Sequence, residues 1–315
     1  MAPFCLELQK KGYKCNLALD ELFWKVSYGE HFDVDEAIKQ AKKWGVKLNL
    51  KLNYGVDIAV TQWRVDWALF GVYKNLKAKI SYGVSLRKGI NFARGDKRFD
   101  YYFVHGEFEK EQLLNLGIEE NRIIKIGFPK LKHEKSNCYL TSKKKILTYF
   151  STWDEFNNIE FAVDLLKKLQ SEYQIYIKPH PLQREEELEK LKKFSVLNCN
   201  IKSLVKHSDV ILFDLKSGSI AEILYWGSNK TIIGICEDKK NYYEINYLDK
   251  VLEYDNELKI PKKVKNKNKL KNYLISEKMD NLDFHIVKIS PTIQRDELDF
   301  LQERLKKTYK EFYKG

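Results

Sequence analysis

At 315 residues the chain is long enough for about two domains, and a composition that is 43% hydrophobic and 13% aromatic supplies a packed core rather than a disordered polymer. It contains no run of about eighteen apolar residues, which excludes a hydrophobic spanning helix. The formal charge of +12 predicts an anionic partner, and without an RRM, KH or zinc-finger pattern that partner is not expected to be nucleic acid.

Residues 1–19 lack the basic start and apolar core of a signal peptide. Pro3 to Gly12 reads as a helix and Lys14 to Leu19 as the strand after it, so the first domain opens without the strand and glycine-rich turn that normally begin a parallel unit. Either the chain is truncated or this domain starts abruptly. Short apolar runs predict further strands at Gly55 to Val60, Ala78 to Ser81, Tyr101 to Val104 and Ile123 to Ile126. Helical spacing predicts Asp35 to Trp44 and Glu107 to Asn115 between them. Asp33-Val34-Asp35 has the spacing of a metal-binding pair, but its place before a helix reads better as a cap.

Phe128-Pro129 and the polar stretch Lys130 to Lys144 interrupt the alternation, and a second series begins after them. Its strands are Lys145 to Tyr149, Gln174 to Lys178, Val210 to Phe213 and Thr231 to Ile235, with helices at Asn158 to Ser171 and Ile220 to Trp226. The pattern predicts an α/β fold of two Rossmann-like, doubly wound domains with a cleft between them. The expected boundaries are 1–130 for an acceptor-side domain, 131–144 for a linker, 145–290 for a nucleotide-donor domain and 291–315 for a terminal amphipathic helix crossing back to the first domain. Leu298, Leu301, Leu305 and Tyr309 set the apolar stripe of that helix, with a membrane-surface helix as the alternative. The lysine-rich run at 261–272 reads as a solvated loop, or as a patch facing a polyanion or anionic leaflet. The five cysteines (Cys5, Cys15, Cys138, Cys199 and Cys236) are scattered, which predicts buried thiols in a reducing compartment and no disulfide or zinc framework.

The most telling stretch is Leu204 to Ile235, which reads as strand, small-residue turn, helix and strand. After Val210 to Phe213 come Asp214, Ser217, Gly218 and Ser219, opening a helix. Unpaired N–H groups and the positive end of a helix dipole at the carboxyl end of a parallel strand make a phosphate cradle. A plain helix cap at Ser217 or Ser219 is the alternative.

In order, the chain also shows Ser81-Tyr82-Gly83 with Leu86-Arg87-Lys88, then Phe103 to Glu107, Gly127-Phe128-Pro129, Leu147 to Trp153, Lys178-Pro179-His180-Pro181, and Ser208 through Glu222. Over roughly residues 78–236 this series resembles the CDP-glycerol glycerophosphotransferase family of teichoic-acid-type polymerases and primases, which have a GT-B glycosyltransferase architecture. The resemblance implies a metal-independent transferase with no cofactor, moving a glycerol phosphate-like group from a CDP- or other NDP-linked donor. The implied acceptor is a hydroxyl of a polyanionic or lipid-linked cell-surface glycan or polymer. It implies donor-phosphate contacts from Ser217, Gly218, Ser219, Ser151 and Thr152, a ribose contact from Glu222, and further phosphate or acceptor contacts from Arg87, Lys88 and Asp214. His180 is the implied catalytic histidine. The family's histidine-glycine pair after the strand ending near Ser81 is here Tyr82-Gly83, and a phenol is a poor base near neutral pH. Tyr82 and His105 are therefore the two candidates for the base.

The expected location is cytoplasmic, with the inner face of the cell membrane as the surface a peripheral protein would touch. A sugar transferase of the same architecture is the main alternative. A UDP-N-acetylglucosamine 2-epimerase-like enzyme, whose serine-glycine turn and following glutamate are similar, and a noncatalytic nucleotide-binding protein stand behind it.

Overall fold

A computed structural model of the chain describes residues 2–15, 17–18, 34–49, 56–61, 76–81, 83–84, 99–153, 158–214, 217–235, 252–255, 260–264 and 267–280. Tyr82, Arg87, Lys88, Asp33, Cys236 and the helix expected at 291–315 lie outside these residues.

The first sheet is parallel, with β3 (Ile58–Thr61), β4 (Leu76–Ile80), β5 (Tyr101–Val104) and β6 (Ile123–Lys125) side by side in chain order. Strand alternation divides its side chains between two cores. Ala78, Ile80, Phe103 and Ile124 meet Phe4 of helix α1 (Ala2–Lys10) on one face. Tyr102, Val104 and Ile123 meet Phe99, Leu113 and Ile118 on the other. A short parallel pair, β1 (Leu17–Ala18) with β2 (Leu48–Asn49), accompanies helix α2 (Val34–Lys43). Of the strand expected from Lys14 to Leu19, the described residues show Leu17–Ala18. Helix α3 (Glu107–Asn115) comes after β5, and α4 (Pro129–His133) after β6, its proline at the first turn where a missing N–H costs nothing.

The second sheet has β7 (Lys145–Phe150), β8 (Tyr173–Lys178), β9 (Ser195–Val196), β10 (Val210–Asp214) and β11 (Thr231–Ile235) in the spatial order β11-β10-β7-β8-β9, all parallel. This is the doubly wound order, and it reverses direction between β7 and β10, where such sheets open a crevice. Phe150, Ile211, Phe213 and Ile232 face helices α7 (Ile201–His207) and α8 (Ile220–Gly227). Tyr149, Ile177 and Leu212 face α5 (Ile159–Leu169) and Leu191 of α6 (Glu185–Leu191). The fold class read from the sequence, two Rossmann-like parallel sheets facing a cleft, is the one observed.

Two expectations are overturned. Cys138 and Cys199 form a disulfide across 61 positions of sequence, which bolts the segment after α4 to the start of α7. The same seam carries hydrogen bonds from Asn200 N–H to Asn137 Oδ1 and from Asn137 N–H to Ser203 Oγ, both 2.8 Å. Scatter in sequence concealed proximity in space. The lysine-rich run at 261–272 is not a loop: Ile260–Val264 is strand β13, paired antiparallel with β12 (Leu252–Asp255), and Lys267–Leu274 is helix α9. Leu270 and Leu274, one turn apart, are buried against the second domain's core, and their apolar step outweighs the lysines around them.

From α9 the chain returns to the first sheet. Ser276 N–H donates to the His105 carbonyl at 2.7 Å, Asp280 N–H donates to the Lys125 carbonyl at 2.8 Å, and Lys125 N–H donates to Asp280 Oδ2 at 2.9 Å. The strap lies directly on glycine backbone. A Cβ on Gly106 would fall 2.5 Å from the Leu274 oxygen, and one on Gly127, whose φ is +65°, 2.6 Å from the Ser276 oxygen. Backbone cannot yield as a side-chain tip can. Gly106→Ala is therefore expected to lower the unfolding free energy by about 1–3 kcal/mol in denaturant titration; an unchanged midpoint would show that the strap is not seated on Gly106.

Candidate active site

The turn after β10 is set by Asp214. Its side chain is 0% exposed and accepts hydrogen bonds from Tyr149 Oη (2.9 Å), Thr152 N–H (2.7 Å) and Asn158 Nδ2 (3.1 Å), while its carbonyl accepts from Ser217 N–H at 2.8 Å. Burial pushes the carboxyl up to about 7 against those donors. Asp214 therefore faces the protein interior and not a phosphate, which corrects the role implied for it. Thr152 is corrected with it, being buried with its N–H committed to Asp214. Together they fix the ends of β7 and β10 to each other.

The serine turn follows this anchor. Ser219 stands at the N-cap of α8 without a side-chain capping bond; its hydroxyl instead lies 2.7 Å from that of Ser217. Ser217 Oγ accepts from Ser219 N–H at 3.3 Å, so of the two serines it is Ser217 that takes a backbone N–H at the helix start, and both hydroxyls line the cleft beside Gly218. Ser151, at the end of β7, donates its hydroxyl to Gln183 Oε1 at 2.7 Å and its N–H to the Lys178 carbonyl at 3.2 Å, so its oxygen lone pairs are what it offers the cleft.

Lys178 ends β8, and Pro179, His180 and Pro181 continue from it into the cleft. His180 Nδ1 accepts from Leu182 N–H at 3.1 Å, which places the ring proton of the neutral form on Nε2. Trp153 stacks on the imidazole at 5.9 Å between centroids and 22° between planes. Burial, and then the charge of Lys130, hold Lys178 below the ordinary lysine range. Lys130 is a residue the sequence reasoning missed. It projects from α4 of the first domain to Glu222 of α8, Nζ to Oε1 2.5 Å, and so meets the carboxylate implied for the ribose. The pair is 92 positions apart, and nothing local in the sequence joins them.

On the first domain, His105 comes directly after β5 and is 2% exposed. Its Nδ1 lies 2.9 Å from Glu109 Oε2 and 2.8 Å from Ser81 Oγ, Ser81 Oγ donates to Glu109 Oε1 at 2.6 Å, and His105 N–H donates to Glu109 Oε2 at 2.6 Å. Phe128 packs edge-on against the ring at 4.6 Å. Ser81 and Glu109 were also missed, although a histidine and a glutamate four positions apart at a helix start are a visible signal.

These groups line one cavity of about 430 Å³, within the range of small-ligand sites. The first domain contributes Ser81, Gly83, His105 and Lys130; the second contributes Ser151, Lys178, His180, Ser217, Gly218, Ser219 and Glu222. Among the described lining residues two lysines stand against a single carboxylate, so the cleft is built for an anion. Among the described residues no helix is long and apolar enough to cross a membrane.

No protein-family model and no curated protein matches the chain. Solved structures do. A UDP-GlcNAc 2-epimerase from Neisseria meningitidis bound to UDP-GlcNAc is 17% identical, covers 75% of this chain and 78% of its own, and has a TM-score of 0.47. The glycotransferase of kitacinnamycin is 11% identical, with 76% of this chain and 77% of that one covered and a TM-score of 0.49. CalG4, the calicheamicin glycosyltransferase, is 11% identical, with 79% and 78% covered and a TM-score of 0.45. At such identities and scores these likenesses carry no functional argument, and the chemistry rests on the residues that line the cleft.

Proposed function

We propose that the protein is a transferase that binds a nucleotide-activated donor in this cleft and passes a phosphoalcohol group, glycerol phosphate or a relative of it, from a CDP-linked donor to a hydroxyl of a cell-surface glycan or polymer. The observation that carries the reading is the convergence of Ser217, Ser219, Lys178, Lys130 and His180 on one cavity between two Rossmann-like sheets. The acceptor oxygen attacks the phosphorus bearing the alcohol, an O–P bond forms, and the P–O bond to the nucleoside monophosphate breaks with its electron pair on the leaving phosphate. The serine turn and the start of α8 receive that phosphate, Lys178 balances its charge, and His180 donates from Nε2 to an oxygen of the group in flight. Two lysines serve the task that a metal ion would otherwise perform, so the reading needs no cofactor. Glu222, released from Lys130, is placed one turn into α8 to take the ribose hydroxyls.

A sugar transferase would use the same cradle and differ in the group attached beyond the diphosphate, so the donor decides between them. The epimerase reading fits less well: among the described residues lining the cavity, Glu222 is the one carboxylate, and it belongs to the donor side. The test is a thermal-shift panel of CMP, CDP, CDP-glycerol, UDP, UDP-GlcNAc and GDP. A ligand at 100 times its dissociation constant stabilises by about 2.7 kcal/mol. Cytidine nucleotides are expected to raise the midpoint and to lose that effect in Ser219→Ala. A uridine preference would move the assignment to sugar transfer, and no response to any nucleotide would overturn it.

A further inference from the structure

We propose that His105 is the general base of this site, positioned by Glu109 and Ser81, and that it takes the proton of the attacking hydroxyl. The inference rests on the transferase reading above and goes beyond it by dividing acid and base between two histidines held in opposite tautomers.

Ser81 Oγ and the His105 backbone N–H donate to the two oxygens of Glu109, and His105 Nδ1 lies 2.9 Å from Oε2. Glu109 is 0% exposed. An ionised carboxylate accepts and does not donate, so Nδ1 of His105 is the donor, and the lone pair of the neutral ring lies on Nε2. Nε2 has no hydrogen-bond partner among the described residues, and His105 is part of the cavity wall. His180 is wired the other way: Leu182 N–H occupies Nδ1, and the proton sits on Nε2. One ring thus accepts and the other donates, on opposite domains of one cleft. Ser276 N–H, bound to the His105 carbonyl, and the close passage of Leu274 over Gly106 hold the backbone from behind. The groups facing His105 are Ser81 from the end of β4, Glu109 from α3 and the Phe128 ring, and the cavity charges across from it are Lys130, Lys178, His180 and Glu222.

In the step, the hydroxyl proton moves to His105 Nε2 as the O–P bond forms, and the electron pair of the breaking P–O bond leaves on the nucleoside monophosphate. His105 then returns its proton to solvent or to the departing phosphate. The same base serves water, so nucleotide release from the donor alone reports on it.

The experiment uses the full chain and whichever of CDP-glycerol, CDP-ribitol and UDP-GlcNAc the wild type turns over fastest. His105→Ala is expected to lower turnover by about 10²–10⁴-fold and to abolish the acid limb of the pH–kcat/KM profile. The dissociation constant for the nucleoside monophosphate should stay within about threefold, since the donor cradle is untouched. Glu109→Gln, whose amide donates where the carboxylate accepted, should shift the ring proton to Nε2 and cost turnover on the same scale, as loss of an orienting carboxylate does elsewhere. Because Glu109 is buried and its variant is at risk of misfolding, long-range ¹H–¹⁵N spectra of histidine-labelled wild type give an independent readout: His105 as the Nδ1–H tautomer and His180 as the Nε2–H tautomer. Wild-type turnover in His105→Ala, or His105 observed as Nε2–H, would overturn the assignment. A wild type that turns over no donor would remove the transferase reading and this proposal with it, a result obtained before any variant is made.

Discussion

His180→Ala is expected to slow donor turnover by about 10²–10³-fold, the scale seen when a preorganised donor to a developing negative charge is removed. The ring stands on a rigid loop between two prolines, its Nδ1 is satisfied by Leu182 N–H, and Trp153 lies flat against it, so its Nε2–H is aimed before substrate arrives. Such an interaction is strongest at the transferring phosphate. On the proposed reading the serine turn receives the nucleoside monophosphate, so affinity for it should change little, and the loss should therefore appear in kcat rather than in binding. His180→Gln keeps an N–H donor near the former Nε2 and is expected to recover part of the lost rate. If alanine left kcat unchanged, the group in flight would have to be stabilised by Lys178 and the serine turn alone.

The parts of this site that were legible in the sequence are the parts made within one short segment. The turn from β10 into α8 and the Lys178-Pro179-His180-Pro181 loop each declare their geometry locally, through an apolar strand with small or rigid residues after it. The longer strands of the two parallel sheets were legible for the same reason, since a two-residue alternation or a fully apolar run needs no distant partner to be recognised; Leu48–Asn49, Ser195–Val196 and the β12–β13 pair were not. What the sequence withheld are pairings across the fold. Lys130 reaches Glu222 from another domain, Ser81 reaches Glu109 across 28 positions, and Cys138 reaches Cys199 across 61. Asp214 was misassigned because a strand-ending carboxylate does not reveal whether it points at solvent or at Tyr149 on the neighbouring strand. The run at 261–272 was misassigned because its lysines dominate the composition while Leu270 and Leu274 determine the packing.

The buried Asp214 also makes stability depend on pH in a direction opposite to that of a salt-bridged carboxylate. In the unfolded chain an aspartate loses its proton near its ordinary value of 3.8, whereas burial holds the folded group up to about 7. Between those values the unfolded state binds fewer protons than the folded one, so the contribution of this group is present in full below about pH 4 and is lost as pH rises toward 7. The shift is equivalent to about 4 kcal/mol as an upper bound. Asp214→Asn removes the ionisation while keeping an oxygen for Tyr149 or Thr152, and it pays a pH-independent cost because its amide meets donors rather than acceptors. Unfolding free energies of wild type and Asp214→Asn, measured in denaturant from pH 4 to 8, should therefore converge as pH rises, with the wild type losing a few kcal/mol more than the variant. Parallel curves would show that Asp214 titrates at its ordinary value, and that the hydrogen bonds it accepts offset its desolvation in full. The outcome bears on binding as well as on folding. Asp214 holds Ser217 N–H through its carbonyl and the end of β7 through its side chain, so an anchor loosened as pH rises would be read as weakening nucleotide affinity in the wild type, and not in the variant, before any loss of fold.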